Sequence, residues 1–227
     1  MVRSGETLCF RPKPQTRQLQ TAILPSCMIA GIVPKKNEDY DIVEHVHRFA
    51  AWTASSAAMR GANHNGTGRG NGLNTARGLA IITTANLRGV LSDPKRWLDG
   101  DIDAQHRVWR GAVKSAAKTL CPLANFSDGV AAKLINVYLK AGLVTIKAAD
   151  DASIGGLHPP IDSELLHELA EVERATHPGR SAFWAQMAEH GWSKFNSDEY
   201  EAVILNVRGM LGAERRLWKV EKYWRGY

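Results

Sequence analysis

The sequence predicts an all-α fold. Beyond residue 40, apolar side chains recur at three- and four-residue spacing over most of the chain. Good capping residues stand before several of these stretches, and glycine or proline stands after them. No segment alternates with period two over several strands. The 227 residues suffice for one large domain or two small lobes, because a compact domain runs to about 100–200 residues. With 44% apolar and 23% charged side chains, the composition is that of an ordinary globular protein.

Residues 1–38 hold four prolines and six lysines or arginines without a sustained period, which predicts an irregular basic arm followed by a helical domain over 39–227. From Tyr40, the run Ile42, Val46, Phe49, Ala50, Thr53 and Ala57 marks a helix to about residue 60. The glycine-rich stretch 61–72 is a loop, and a second helix is expected over 73–86. A turn at 92–94 follows, then Trp97. Ile102, Val108, Trp109, Ala112, Val113, Ala116 and Leu120 make the stripe of a third helix, with Asp101 or Asp103 as its cap and Pro122 beyond its end. A further helix is expected over 130–141, stopped by Gly142. After a variable stretch at 143–157, Asp162 in H-P-P-I-D is placed to cap a helix to about residue 174. Helices are expected also at 179–190, 198–211 and 213–224.

Charge and cysteine usage narrow the setting. The net charge of +6 favours a polyanionic partner, and residues 1–160 carry the surplus, with 20 basic against 12 acidic side chains. The apolar run 22–33 is interrupted by Pro25 and falls short of the roughly 20 residues that span a bilayer, and no export signal is recognised, so no membrane association is expected. Cys9, Cys27 and Cys121 form neither a disulfide framework nor a zinc motif, which fits a cytoplasmic protein. His45 and His47 point to different sides of one helix and cannot share a metal. No phosphate-binding, dinucleotide-binding or serine-hydrolase motif is present.

The informative segment is 126–140, F-S-D-G-V-A-A-K-L-I-N-V-Y-L-K. Two amphipathic helices joined by a glycine-containing turn, the second beginning G-V-A-A-K, resemble the helix-hairpin-helix element of DNA glycosylases at about 101–141. Gly129, Val130 and Lys133 stand at that pattern's first glycine, hydrophobic position and lysine. Ala131 replaces its second glycine, and Asp128 stands where proline is usual. Free N–H groups at such a helix start form a site for one phosphate, which assigns Asp128, Gly129, Val130 and Ala131 to DNA contact. Asn136 and Lys140 share the face of Lys133 and are expected along the same DNA.

The resemblance implies a two-lobed helical glycosylase that acts on double-stranded DNA containing a modified base, as a monomer and without metal or other cofactor. In that superfamily the lysine attacks the deoxyribose carbon as the base leaves, forming a Schiff base, while an aspartate in a Pro-hydrophobic-Asp context stabilises the sugar cation and handles the proton. Lys133 matches the first role, and Pro160, Ile161 and Asp162 match the second. The 29-residue separation is similar to that of the archaeal oxoguanine-glycosylase branch. Asp151, 18 residues after Lys133, is the alternative carboxylate, and Asp162 also fits a plain helix cap. The absence of four clustered cysteines excludes the iron–sulfur branch.

For an extruded base, Trp52 on a helix of small residues, with Asn63 and His64, is the expected pocket, and Arg69 is expected on DNA. The small residues also fit close helix packing. The H-P-P-I-D segment is also similar to that of bacterial phage-defence glycosylases that remove glucosylated hydroxymethylcytosine. Both that base and 8-oxoguanine are therefore candidate substrates. The alternative is a non-catalytic helix-hairpin-helix DNA-binding protein in which Lys133 only neutralises a phosphate.

Overall fold

The computed structural model describes residues 40–63, 72–146 and 152–226. The 1–38 arm, His64, Arg69 and Asp151 lie outside the described residues. The described chain is helical and contains no strand. Among the described residues no helix is long and apolar enough to cross a membrane.

Helix α1 (Ile42–Ala62) is capped by Asp41, whose side chain accepts from the Glu44 N–H at 2.8 Å. Its buried face is built from Ala50, Ala51, Ala54, Ser55 and Ala58, so the small residues serve close packing. α2 (Thr75–Thr84) crosses so near that a Cβ on Gly78 would stand 1.8 Å from Ser55 Oγ. Two short helices, α3 (Arg88–Ser92) and α4 (Pro94–Leu98), flank the expected turn, which falls at Asp93. α5 (Ile102–Leu120) starts at Asp101, whose carboxylate accepts from the N–H groups of Asp103 and Ala104.

α6 (Asp128–Leu139) is the centre of the domain, and from Gly129 to Leu139 every residue is buried. It does not stop at Gly142 as expected. A π-helical turn, Lys140–Val144, continues it, with Thr145 N–H donating to the Lys140 carbonyl at 3.1 Å. Gly142 gives room there to the Leu91 side chain, whose nearest methyl would lie 2.6 Å from an added Cβ.

α7 (Ser163–Glu173), α8 (Pro178–His190) and α9 (Ser197–Leu211) follow, with a 3₁₀ turn, Trp192–Lys194, between α8 and α9. Gly191 at φ 90° ends α8, and Gly212 at φ 61° ends α9. The last element, Leu217–Tyr223, is a 3₁₀ helix where an α-helix over 213–224 was expected. Leu217 and Val220 are its buried residues, and their three-residue spacing puts both on one side of a 3₁₀ helix.

The buried apolar side chains fall into two clusters. One gathers α1, α2, α5 and most of α6. The other gathers α7, α8, α9, Leu217 and Val220, and α6 enters it through Ala132. Trp192 packs against both. α1 is tied to α6 by a bond of 2.8 Å between His47 Nδ1 and the Tyr138 hydroxyl, whereas His45 faces out toward Tyr40.

Candidate active site

A cleft of about 760 Å³ opens on one face of α6. α1 contributes Phe49, Thr53, Ser56, Ala57 and Arg60, residues at the spacing of a single helix face. Lys133 and Val137 come from α6, and Lys140 and Ala141 from the π turn. Pro160 and Asp162 come from the strap that precedes α7, Ser163 and Glu164 from the start of α7, and Trp192, Glu221 and Trp224 from later in the chain.

At its floor Lys133 Nζ meets Asp162 Oδ2 at 2.9 Å. The other carboxylate oxygen of Asp162 accepts from the Leu165 N–H at 2.9 Å, so the residue caps α7 and pairs with the lysine at once. Lys133 is 7% exposed, and its amine lies 5.6 Å from the Trp192 ring centre. Burial holds this amine below the ordinary lysine range, and Lys140 pushes the same way, while Asp162 and Glu221 oppose. A second ion pair, Lys140 with Glu221, lines the same cleft. Burial raises the Glu221 carboxyl above its usual range, against the pull of Lys140 and Lys133. Lys133, Lys140, Asp162, Glu164 and Glu221 thus share one partly enclosed space, in which burial moves the Lys133 amine down and the Glu221 carboxyl up, the directions that suit acid–base chemistry.

The expected phosphate cradle is not available. The Gly129 N–H donates to the Phe195 carbonyl at 3.1 Å, Val130 N–H to Ser127 Oγ at 3.1 Å and Ala131 N–H to the Ser127 carbonyl at 3.0 Å. Ser127 in turn donates to the Ser193 carbonyl at 2.7 Å, closing the helix start under the turn 192–194. A Cβ on Gly129 would lie 1.8 Å from the Trp192 carbonyl oxygen, so this glycine admits a neighbouring backbone. Asp128 is engaged as well, with Lys114 Nζ at 2.6 Å and Arg110 Nε at 3.6 Å from its carboxylate.

Three other expectations are also corrected. Asn136 is not on a DNA-facing surface; it is buried, and its side chain bonds to His106, the Pro159 carbonyl and Tyr200. Asn63 is the C-cap residue of α1 and spends both ends of its amide on the Leu73 backbone, at 2.8 and 2.9 Å, instead of facing a base. Trp52 is 53% exposed and lies beside the cleft face of α1, against Phe49, outside the lining. The tryptophans that do line the cleft are Trp192 and Trp224.

Lys140 lies in the cleft, paired with Glu221. The α1 face was legible as an i, i+4, i+7, i+8, i+11 pattern. Nothing local marks Glu221, which reaches the cleft only through the tertiary path of the last element. Compared with known families, curated proteins and solved structures, the chain matches none.

Proposed function

We propose that the protein is a DNA glycosylase that excises a modified base from double-stranded DNA and leaves an abasic site, within a helical, two-lobed domain. The observation that carries this reading is the 2.9 Å contact of Lys133 with Asp162, a buried amine and a carboxylate on the floor of an open cleft of about 760 Å³.

The chemistry needs a neutral amine, and burial favours one at Lys133. The Lys133 nitrogen attacks C1′ of the extruded nucleotide, the bond from C1′ to the base breaks, and the base leaves with the bonding pair and takes a proton from water. The new secondary ammonium loses its proton to Asp162. As the sugar ring opens, Asp162 returns that proton to the ring oxygen, and the nitrogen lone pair forms the Schiff base. Water then adds, releasing Lys133 and an abasic aldehyde.

The cleft volume lies in the upper part of the roughly 300–1,000 Å³ typical of ligand sites, which suits a bulky adduct. Trp192 and Trp224 offer stacking surfaces. Glucosylated hydroxymethylcytosine in phage DNA, removed as an antiviral defence, is accordingly the first substrate to examine, and 8-oxoguanine, removed in base excision repair, is the second. The covered start of α6 disfavours the non-catalytic reading, in which DNA affinity would rest on those same backbone groups.

The test is mass spectrometry of bases released from glucosylated phage DNA, oxidised DNA and unmodified DNA, together with borohydride trapping of the Schiff base. One released base and a covalent protein–DNA adduct that disappears in Lys133→Gln are expected. Salt-dependent DNA binding with no released base from any of the three would overturn the proposal and leave the non-catalytic reading.

A further inference from the structure

α6 and the strap before α7 meet at two points one helical turn apart. At the first, Lys133 reaches Asp162. At the second, Asn136 Nδ2 donates to the Pro159 carbonyl at 2.8 Å. The two rungs join the same pair of segments, three residues apart on each. Between them Pro160 has a fixed φ and Ile161 is anchored in the core, so the position of one rung is transmitted to the other.

The Asn136 amide has no freedom to turn. It is 2% exposed, its Oδ1 lies 2.8 Å from His106 Nε2, and its Nδ2 donates also to the Tyr200 hydroxyl oxygen at 2.9 Å. Burial holds His106 far below the ordinary histidine range, so the ring is neutral, and among the described residues its Nδ1 has no partner. Its single N–H therefore sits on Nε2, and Asn136 has to present oxygen to it. The Tyr200 hydroxyl in turn donates to His158 Nδ1 at 3.1 Å, and His158 Nε2 donates to Asp103 at 2.7 Å. Each proton in this buried chain has one place, and His158 and Pro159, adjacent in sequence, are both held by it.

We propose that Asn136 is a positioning residue for the Lys133–Asp162 pair: by holding the Pro159 carbonyl, it sets the strap so that the Asp162 carboxylate is delivered to the Lys133 amine. This rests on the reading of that pair as the reacting groups. It gives a function to a buried amide flanked by Ile135 and Val137, where leucine would pack without needing three partners.

The test reads Lys133 directly. In protein carrying ¹³C-labelled lysine, the Lys133 signal is identified by its loss in Lys133→Arg and titrated in the wild type, Asn136→Ala, Asp162→Asn and the double variant. The charged groups that act on this amine are Asp162 and Glu221, which raise its midpoint, and Lys140, which lowers it. If Asn136 works through Asp162, Asn136→Ala moves the midpoint to lower pH in the same direction as Asp162→Asn, and in the Asp162→Asn background it has no further effect. Base excision falls roughly 10²-fold in Asn136→Ala, the scale of a misplaced reacting group. An unmoved midpoint in Asn136→Ala, or a fully additive shift in the double variant, overturns the proposal.

Ile82→Ala, which truncates a core residue of α2, is the stability control, and its Lys133 midpoint should match the wild type. The same shift in that variant would mean that any loosening of the core suffices, and would also overturn the proposal. Asn136→Ser replaces the alanine variant if the latter does not fold. Failure of both under conditions in which Ile82→Ala folds would make Asn136 a folding residue only, against the proposal. The titration needs no DNA. A non-additive titration with no base released sinks the glycosylase reading alone, and normal excision with an additive titration sinks only the role of Asn136.

Discussion

Two successive turns of α6 use their polar groups in opposite ways. In the first turn the backbone N–H groups of Gly129, Val130 and Ala131 are all consumed within the protein, and the missing Cβ of Gly129 admits the backbone of Trp192. In the second turn the Lys133 side chain carries its amine into a cleft and meets a carboxylate 29 residues away in sequence. The same short sequence, G-V-A-A-K, spans both. A glycine at a helix start provides close approach of a backbone, but what approaches is decided by the rest of the chain. Here it is the segment 192–195 and not a phosphate.

On the proposed reading the second turn carries the chemistry while the first serves packing, and substitutions can break that division at either place. The largest effect is expected at Lys133. Lys133→Gln should reduce Schiff-base trapping and base release to background, while DNA binding keeps its salt dependence, because one buried side chain contributes little to counter-ion release. Retained trapping would move the nucleophile elsewhere.

Asp162→Asn comes next. Asparagine is as good an N-cap as aspartate, so α7 should keep its start, while the buried Lys133 amine left without its carboxylate lowers the thermal stability. Single-turnover excision should fall by about 10²–10⁴-fold, the usual weight of a lost proton-transfer group. The pH dependence gives a sign as well as a size. Asp162 raises the Lys133 proton affinity, so the residual rate, which climbs with pH as the amine becomes neutral, should climb at lower pH in the variant than in the wild type. A climb displaced to higher pH would mean that Asp162 does not face the lysine in solution.

Much of this arrangement was legible in the sequence because it is local. The stripe of α5, its cap at one of the two candidates Asp101 and Asp103, the cap at Asp162 and the ends of α8 and α9 near residues 190 and 211 all follow from spacing and side-chain type, and the structure has them, with Asp101 as the cap of α5. The pairing of Lys133 with Asp162 was suggested by a resemblance and appears as a contact. What misled was exposure. Asn136 shares a helical face with Lys133 and Lys140, yet the strap and Tyr200 cover that face at its middle position. Trp52 stands one position round from the face of α1 that borders the cleft. Glu221 arrives from a 3₁₀ segment that no period announces. Periodicity tells which residues share a side, and only tertiary contacts tell what that side meets.

Gly129→Ala tests the first turn. Were this turn a phosphate cradle, alanine would weaken DNA binding and leave stability alone. With the Trp192 carbonyl oxygen 1.8 Å from where the new Cβ would stand, the expected outcome is the reverse. Overpacking of this kind costs about 1–3 kcal/mol, read as a lowered urea midpoint, and the salt slope of DNA binding in the folded protein should be unchanged. A stable variant with weakened DNA binding would restore the cradle.

The smallest effect is expected at Asp128, where the comparison is sharpest in sign. In a cradle, a carboxylate at the helix start would repel the phosphate, and Asp128→Asn would tighten DNA binding. In the structure this carboxylate instead neutralises Lys114 and stands 3.6 Å from the buried Arg110, which keeps its closer partner Glu201 at 2.8 Å. Because Lys114 is partly exposed, losing that pair should cost no more than about 1 kcal/mol. DNA affinity at fixed salt should stay level, since the freed Lys114 lies beside a helix start that is already closed. A tighter complex would show that DNA reaches this turn after all, and would shift the grip on the duplex from the cleft mouth back to the beginning of α6.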